Sequence, residues 1–218
     1  MKHEVWEKEY RSVDNLWGFT PNSMLLNYTA FVSKKGKVLD VGIGEGRNAL
    51  YFAQQGYEVE GLDISKTAIS RCQELSEEYN LNIKAEAADI REYDVQKDEY
   101  SLIILSNVLN FFSEKDRNEI MTKLKKGLKE DGLIYINVFD NEEPSIKKAK
   151  ERCKQVADFT YYDEENNMYH HYFTQGEMQD LVEDYTTISL VRSKFLDNTH
   201  GKPHYHSTLE ILSKKPKV

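Results

Sequence analysis

Lys37 to Ala53 reads KVLDVGIGEGRNALYFA, and the fold is decided by how this stretch is parsed. Val38, Leu39 and Val41 form a short branched apolar run broken only by Asp40, as expected of a strand buried on both faces of a parallel sheet. Gly42, Gly44 and Gly46 follow at alternate positions, and Asn48 to Ala53 reads as a helix. Strand, glycine turn and helix start together make an anion-binding corner. Bare backbone lets a ligand approach, and the N–H groups of the first helical turn point toward it.

A dinucleotide fingerprint needs its third glycine three positions after the second, and that position holds Arg47. The third glycine is Gly46 instead, a tighter turn that suits a smaller anion such as an amino-acid carboxylate. In this G-x-G-x-G, preceded by Asp40, the sequence resembles the class I S-adenosylmethionine-dependent methyltransferases. Three glycines in five residues carry a backbone-entropy cost that a plain turn does not require.

Working outward, Gly56 closes the first helix and Tyr57 to Leu62 returns as a second strand ending at Asp63. Ser65 caps a helix with Ala68, Ile69, Cys72 and Leu75 on its buried side. Ile83 to Ala87 and Tyr100 to Leu105 read as strands three and four. Ser113 opens a helix, with Asp116 three residues on, that ends at Asp131-Gly132 before a fifth strand, Leu133 to Phe139. Strand and helix alternate, so a doubly wound α/β fold is expected. Thr186 to Leu196 and Ser207 to Leu212 are strands whose connection is too short for a crossover helix, hence antiparallel. The resemblance implies the same architecture: a Rossmann-like, mostly parallel seven-stranded sheet ending in an antiparallel hairpin.

Two segments flank this domain plan. Residues 1–36 form an aromatic N-terminal arm with Trp6, Tyr10, Trp17 and Phe19, followed by a helix over 23–32; the arm is a candidate lid, or simply packs across a sheet edge. The domain proper is 37–218, with an insertion at about 140–173. There Pro144 opens a helix running to about Ala157, and short aromatic strands follow around DEENN. Thr174 and Glu177 make a capping box for the next helix.

Composition narrows the function. The 218 residues suffice for one sizeable domain, and 29 basic against 37 acidic residues give a net charge of −8, a poor match for a phosphate backbone. The start MKHEVWEKEY has no apolar core of a signal peptide, no stretch is long enough to span a bilayer, and the two cysteines lie far apart. A reduced, cytoplasmic protein is the expectation.

The resemblance implies a cofactor, S-adenosyl-L-methionine, and a set of residues to hold it. Ligands of a doubly wound sheet bind beyond the carboxyl ends of its strands, where Asp63, Asp89 and Asn107 lie. Asp63, in GLDIS, matches the acidic residue that accepts both ribose hydroxyls, with Ile64 against the adenine. Asp89 matches the group that takes the adenine amino nitrogen, with Ile90 adding a main-chain contact. Asn107, in SNVLNF, falls where the family lines the transferring methyl. Asp40, Gly42, Gly44 and Gly46 form the first motif, and Gly-Arg-Asn at Gly46, Arg47 and Asn48 is similar to the tellurite-resistance-like branch. No Asp/Asn-Pro-Pro-aromatic sequence is present, which together with the acidic charge favours a small-molecule acceptor over nucleic acid.

Methyl transfer is an in-line displacement that positioning alone can drive, so no catalytic triad is required. The alternative is a noncatalytic module that senses the cofactor or its demethylated product. A nicotinamide oxidoreductase is disfavoured by Arg47 and by the terminal hairpin. His200, His204 and His206, in THGKPHYHS, emerge at the ligand face if the sixth strand runs parallel to the first five; His204 and His206 are candidates to contact the acceptor, beside His170 and His171. No carboxylate or cysteine spacing completes a coordination shell around them, so no metal is expected.

Overall fold

The computed structural model describes residues 3–197 and 203–217. Strands β1 (Lys37–Val41), β2 (Val59–Asp63), β3 (Ile83–Ala87), β4 (Tyr100–Ser106) and β5 (Leu128–Phe139) are joined to β9 (Thr186–Asp197) and β10 (His204–Lys214) in one seven-stranded sheet. Its order is β3-β2-β1-β4-β5-β10-β9. Strands β1 to β5 are mutually parallel, β10 is antiparallel to β5, and β9 is antiparallel to β10. Strand β9 therefore runs with the parallel set, the condition under which the sequence reading placed the histidines at the ligand face. The chain reverses direction across the sheet between β1 and β4, which puts a crevice over their carboxyl ends.

Alternation along β4 divides the core. Ile103 and Leu105 face a layer with Leu39, Val41 and the Ile120, Leu124 stripe of helix α5 (Glu114–Gly127). Leu102 and Ile104 face the other layer with Val38, Phe52 of α3 (Arg47–Gln54) and Ile69 and Cys72 of α4 (Lys66–Glu78). Burial on both faces is why β1 and β4 read as mostly apolar runs, interrupted only at Asp40 and Ser101, rather than alternating ones. Ser65 Oγ accepts from Ala68 N and Ser113 Oγ from Asp116 N, so both helix starts form as their caps direct.

Four boundaries differ from the sequence reading. The helix expected over 23–32 is helical over Ser23–Tyr28 (α2) and tightens to a 3₁₀ turn over Thr29–Phe31. Helix α5 stops at Gly127 rather than at Asp131-Gly132. The chain instead enters β5 through a bulge between the pairs Tyr100↔Leu128 and Leu102↔Leu133, with Asp131 at φ 59°. The helix from Pro144 ends at Arg152 (α6, Ile146–Arg152), and Lys154–Ala157 becomes strand β6. A ladder to β7 (Thr160–Asp163), itself paired with β8 (Met168–His171), captures the backbone there. Lastly, His204 and His206 lie in strand β10 and not in a loop; His200 is outside the described residues.

The N-terminal arm begins with helix α1 (His3–Ser12), which packs on α4. The capping box of Thr174 and Glu177 is formed in both directions and starts α7 (Gln175–Asp180). No helix among the described residues is long and apolar enough to cross a membrane.

Candidate functional site

Gly42, Gly44 and Gly46 each adopt positive φ, at 71°, 55° and 94°, in the turn between β1 and α3. A Cβ at Gly42 would stand 2.5 Å from Val108 Cγ2, and one at Gly44 would stand 2.6 Å from the Tyr10 hydroxyl. The turn is thus glycine by conformation and by space at once. Its N–H groups are largely spent inside the protein: Gly42 and Ile43 donate to Leu62 O, Gly44 to Asp63 Oδ2 at 3.0 Å, and Gly46 to Ile43 O. The loop itself therefore offers shape and close approach rather than free donors; the donors of the sequence reading belong to the first turn of α3, which starts at Arg47. Gly46 does not line the cleft; its missing side chain makes room for Cys72 and Leu50.

A cleft open at its mouth lies over the carboxyl ends of β1, β2 and β4. Asp40, Gly42, Gly44, Arg47, Asn48, Asp63, Ile64, Asp89, Ile90 and Asn107 all line it. The carboxyl end of each strand in turn delivers one of these groups, which is why residues 67 positions apart (Asp40 and Asn107) meet in one space.

The acidic residues differ in environment. Asp40 is 2% exposed; burial pushes its carboxyl up to about 7, with the Asp63 charge adding to the rise, against the Arg47 charge and a hydrogen bond from Ala49 N. Burial raises Asp63 to about 6, opposed by N–H donors from Ser65, Gly44 and Ile64. Its Oδ1 accepts from Ser65 N at 2.9 Å and its Oδ2 from Gly44 N, so the carboxylate is fixed in orientation by two backbone groups. For Asp89, burial alone would raise the pKa, but the hydrogen bonds and charge of Arg91 hold it below the usual carboxylate range. Arg91 grips it through Nε and Nη2.

Asn107 occupies the left-handed region at φ 57°, and its buried Oδ1 has no hydrogen-bond partner among the described residues. A buried amide oxygen without a donor is costly unless a ligand or water supplies one. Arg47 donates to Asn22 Oδ1 and Ser106 Oγ and lies near Trp17 O, tying the arm to the end of β4. Asn48 Oδ1 accepts from Asn22 N at 3.0 Å.

The cleft's outer wall comes from the arm, which the sequence reading offered as a candidate lid without naming its residues among the cofactor contacts. Trp6, Tyr10, Trp17 and Gly18 of the arm line it, facing Phe111, Phe112 and Phe139. The arm is held there by two carboxylates. Glu7 accepts from Ser65 Oγ and from Thr67 N and Oγ1. Glu45, inside the glycine loop, accepts from Asn15 N and Leu16 N and pairs with Arg71 at 2.9 Å. The aromatic composition of residues 6–19 was the visible signal; the acidic fasteners gave none.

His204 and His206 do not line the cleft. His206 stands one layer behind its wall, stacked on Phe139 with ring centroids 5.1 Å apart. His170 is likewise set behind Phe111 at 6.1 Å, and His171 is buried, with Nδ1 2.7 Å from Thr160 Oγ1.

The model of a family described as a methyltransferase domain matches residues 38–132, the stretch from β1 through the bulge of β5. Residues 38–132 are thus similar to a methyltransferase domain. It is 34% identical over 90 residues to the probable S-adenosyl-L-methionine-dependent methyltransferase TehB of Haemophilus influenzae, a match covering 41% of this chain and 31% of that protein. The crystal structure of Haemophilus influenzae TehB superposes with a TM-score of 0.70 at 21% identity, over 96% of this chain and 66% of the other. A Burkholderia thailandensis 1,6-didemethyltoxoflavin-N1-methyltransferase, solved with its substrate and S-adenosylhomocysteine, superposes at 0.69 with 18% identity, over 99% and 87% of the two chains. At these identities the two superpositions establish fold. The chain matches about a third of TehB's length.

Proposed function

We propose that this methyltransferase domain passes a methyl group from S-adenosylmethionine to a small-molecule acceptor. The observation that carries the reading is the convergence of Asp63, Asp89 and Asn107 on one cleft whose floor is side-chain-free backbone. Those groups fit an adenosyl amino acid. Asp63, held by Ser65 and Gly44, retains lone pairs for two ribose hydroxyls. Ile64, Ala88 and Ile90 offer apolar walls for a purine, with Asp89 at its amino edge. The glycine turn admits the methionine portion, and Asn107 lies at the end of β4 where the reacting centre would sit.

When bound, the cofactor supplies an electrophilic methyl on a sulfonium: the C–S electron pair stays on sulfur as an acceptor lone pair takes the carbon. The protein's part is to align and to exclude water. Trp6, Trp17, Phe111 and Phe139 supply an apolar enclosure at the mouth, and Arg47 a cation beside Ser106. That combination favours an acceptor of small size with an apolar body. Its proton leaves before or during transfer, and the chain need not hold a dedicated base.

Thermal unfolding with S-adenosylmethionine, S-adenosylhomocysteine and NAD tests the cofactor, since a ligand of the native state raises the midpoint by mass action. The first two are expected to stabilise and NAD not. Transfer of labelled methyl to acceptor mixtures then separates an enzyme from a cofactor sensor; binding without transfer to any acceptor would favour the sensor.

A further inference from the structure

Strand pairing brings together a second cluster that neither the cleft nor the family match explains. Asp197, at the end of β9, is the register partner of His204 at the start of β10, and His206 follows two residues later on the same face. His204 Nε2 and His206 Nε2 are 3.0 Å apart, and His206 Nε2 lies 3.6 Å from Asp197 Oδ2. One ligand atom from each of the three lies within 4.8 Å of the others. Ligands at the usual zinc–nitrogen distance of about 2.0–2.1 Å stand roughly 2.9–3.4 Å from one another in octahedral or tetrahedral geometry. The cluster is therefore near coordination spacing already.

What distinguishes it from a chance histidine pair lies behind His206. Glu143 is 1% exposed, and its Oε1 faces His206 Nδ1 at 3.1 Å while its Oε2 accepts from Ser207 N at 2.6 Å. A buried carboxylate on Nδ1 fixes the proton there and turns the Nε2 lone pair toward His204 and Asp197. This is the carboxylate–histidine arrangement that orients metal-bound imidazoles. Phe139 stacks on the same ring and holds its plane.

We propose that Asp197, His204 and His206 bind a divalent transition-metal ion, with zinc the best match to two imidazoles and one carboxylate. Three protein ligands leave at least one position for water or another donor. The ion would pin the outer ends of β9 and β10 together behind the Phe139 wall of the cleft. The sequence spacing offered no carboxylate for these histidines; the hairpin register supplies one. The site is independent of the methyl-transfer reading, because ion binding is measured without cofactor or acceptor.

Calorimetric titration of the full chain with Zn²⁺ is the test, after treatment with a chelator. A single site per chain is expected. Glu143→Gln should weaken it by roughly 10–100-fold, and Asp197→Asn or His204→Gln should weaken it at least as much. Cys153→Ala is the control, because Cys153, Asp163 and His170 form the other cluster of ligating groups among the described residues; it should change nothing. The Co²⁺-loaded protein should show ligand-field absorption without a thiolate charge-transfer band, a readout on the unaltered chain that stands even where a variant does not fold. No saturable binding, a thiolate band, or loss of the site in Cys153→Ala overturns the assignment.

Discussion

Glu7 Oε1 accepts a 2.7 Å hydrogen bond from Thr67 Oγ1, joining the first helix of the chain to the first turn of α4. Glu7 Oε2 takes Ser65 Oγ and Thr67 N as well, so one carboxylate completes a helix N-terminus and docks the arm that walls the cleft. Replacing Glu7 by alanine should cost about 1–3 kcal/mol of arm docking, the scale of hydrogen bonds to a charged group. Tryptophan emission from Trp6 and Trp17 should shift toward that of solvated indole, and cofactor affinity should fall. Unchanged emission would mean that the arm is held without it.

The same contact has a pH signature. Burial would raise the Glu7 carboxyl, but the hydrogen bonds from Thr67 and Ser65 with the Arg11 charge outweigh it and lower it from 4.5 to about 2. A folded value below the unfolded one stabilises above about 4.5 and is lost as pH falls toward 2. Acid titration of arm docking, followed by tryptophan emission, should show its midpoint in that window.

Asp40 and Asp63 act in the opposite sense. Their folded values of about 7 and about 6 exceed the ordinary 3.8. The unliganded protein should therefore gain stability as pH falls from about 7 toward 4, and lose it as pH rises. Asp40→Asn should flatten that slope in denaturant unfolding measured across the range. Cofactor affinity should instead fall below about pH 6, where Asp63 takes up the proton that blocks one acceptor, and Asp63→Ala should weaken binding by about 1–3 kcal/mol. Calorimetry across pH checks both.

Gly44→Ala combines backbone strain at φ 55° with a Cβ placed 2.6 Å from the Tyr10 hydroxyl. Strain of about 1–2 kcal/mol is expected, and Tyr10 must move off the loop. Gly56→Ala shares the positive φ, at 81°, but has nothing within 4 Å of its Cβ. Both should lower the unfolding midpoint, whereas Gly44→Ala alone should also reduce cofactor binding. Equal binding by the two variants would count against close approach at this loop.

Asn110 is 2% exposed and bridges β5 to β8: Nδ2 donates to Phe139 O and His171 O, and Oδ1 accepts from Phe139 N. Asn110→Ala removes the side-chain partner of Phe139 N and His171 O, while Phe139 O keeps its bond from Phe173 N, and should destabilise by about 1–3 kcal/mol. Denaturant unfolding measures the loss, and Asn110→Asp should fail to rescue it because it lacks the two amide donors.

The sequence determined whatever its own neighbours encode. Branched residues at 38–41 and 102–105 made buried strands, Ser65, Ser113 and Thr174 started helices, and three glycines set a turn of positive φ. Alternating strands and helices then left few ways to wind the sheet, so the ends carrying Asp63, Asp89 and Asn107 were legible as one site. Tertiary structure alone decided which partners meet across long stretches of chain. Glu7 finds Thr67 and Glu45 finds Leu16, which turns an aromatic arm into a wall. A ladder to β7 ends α6 early, and the β9–β10 register turns His204 and His206 away from the cleft toward Asp197. Caps and periodicity act within a few residues, whereas these contacts rest on packing between segments tens of residues apart, and no local pattern records that choice.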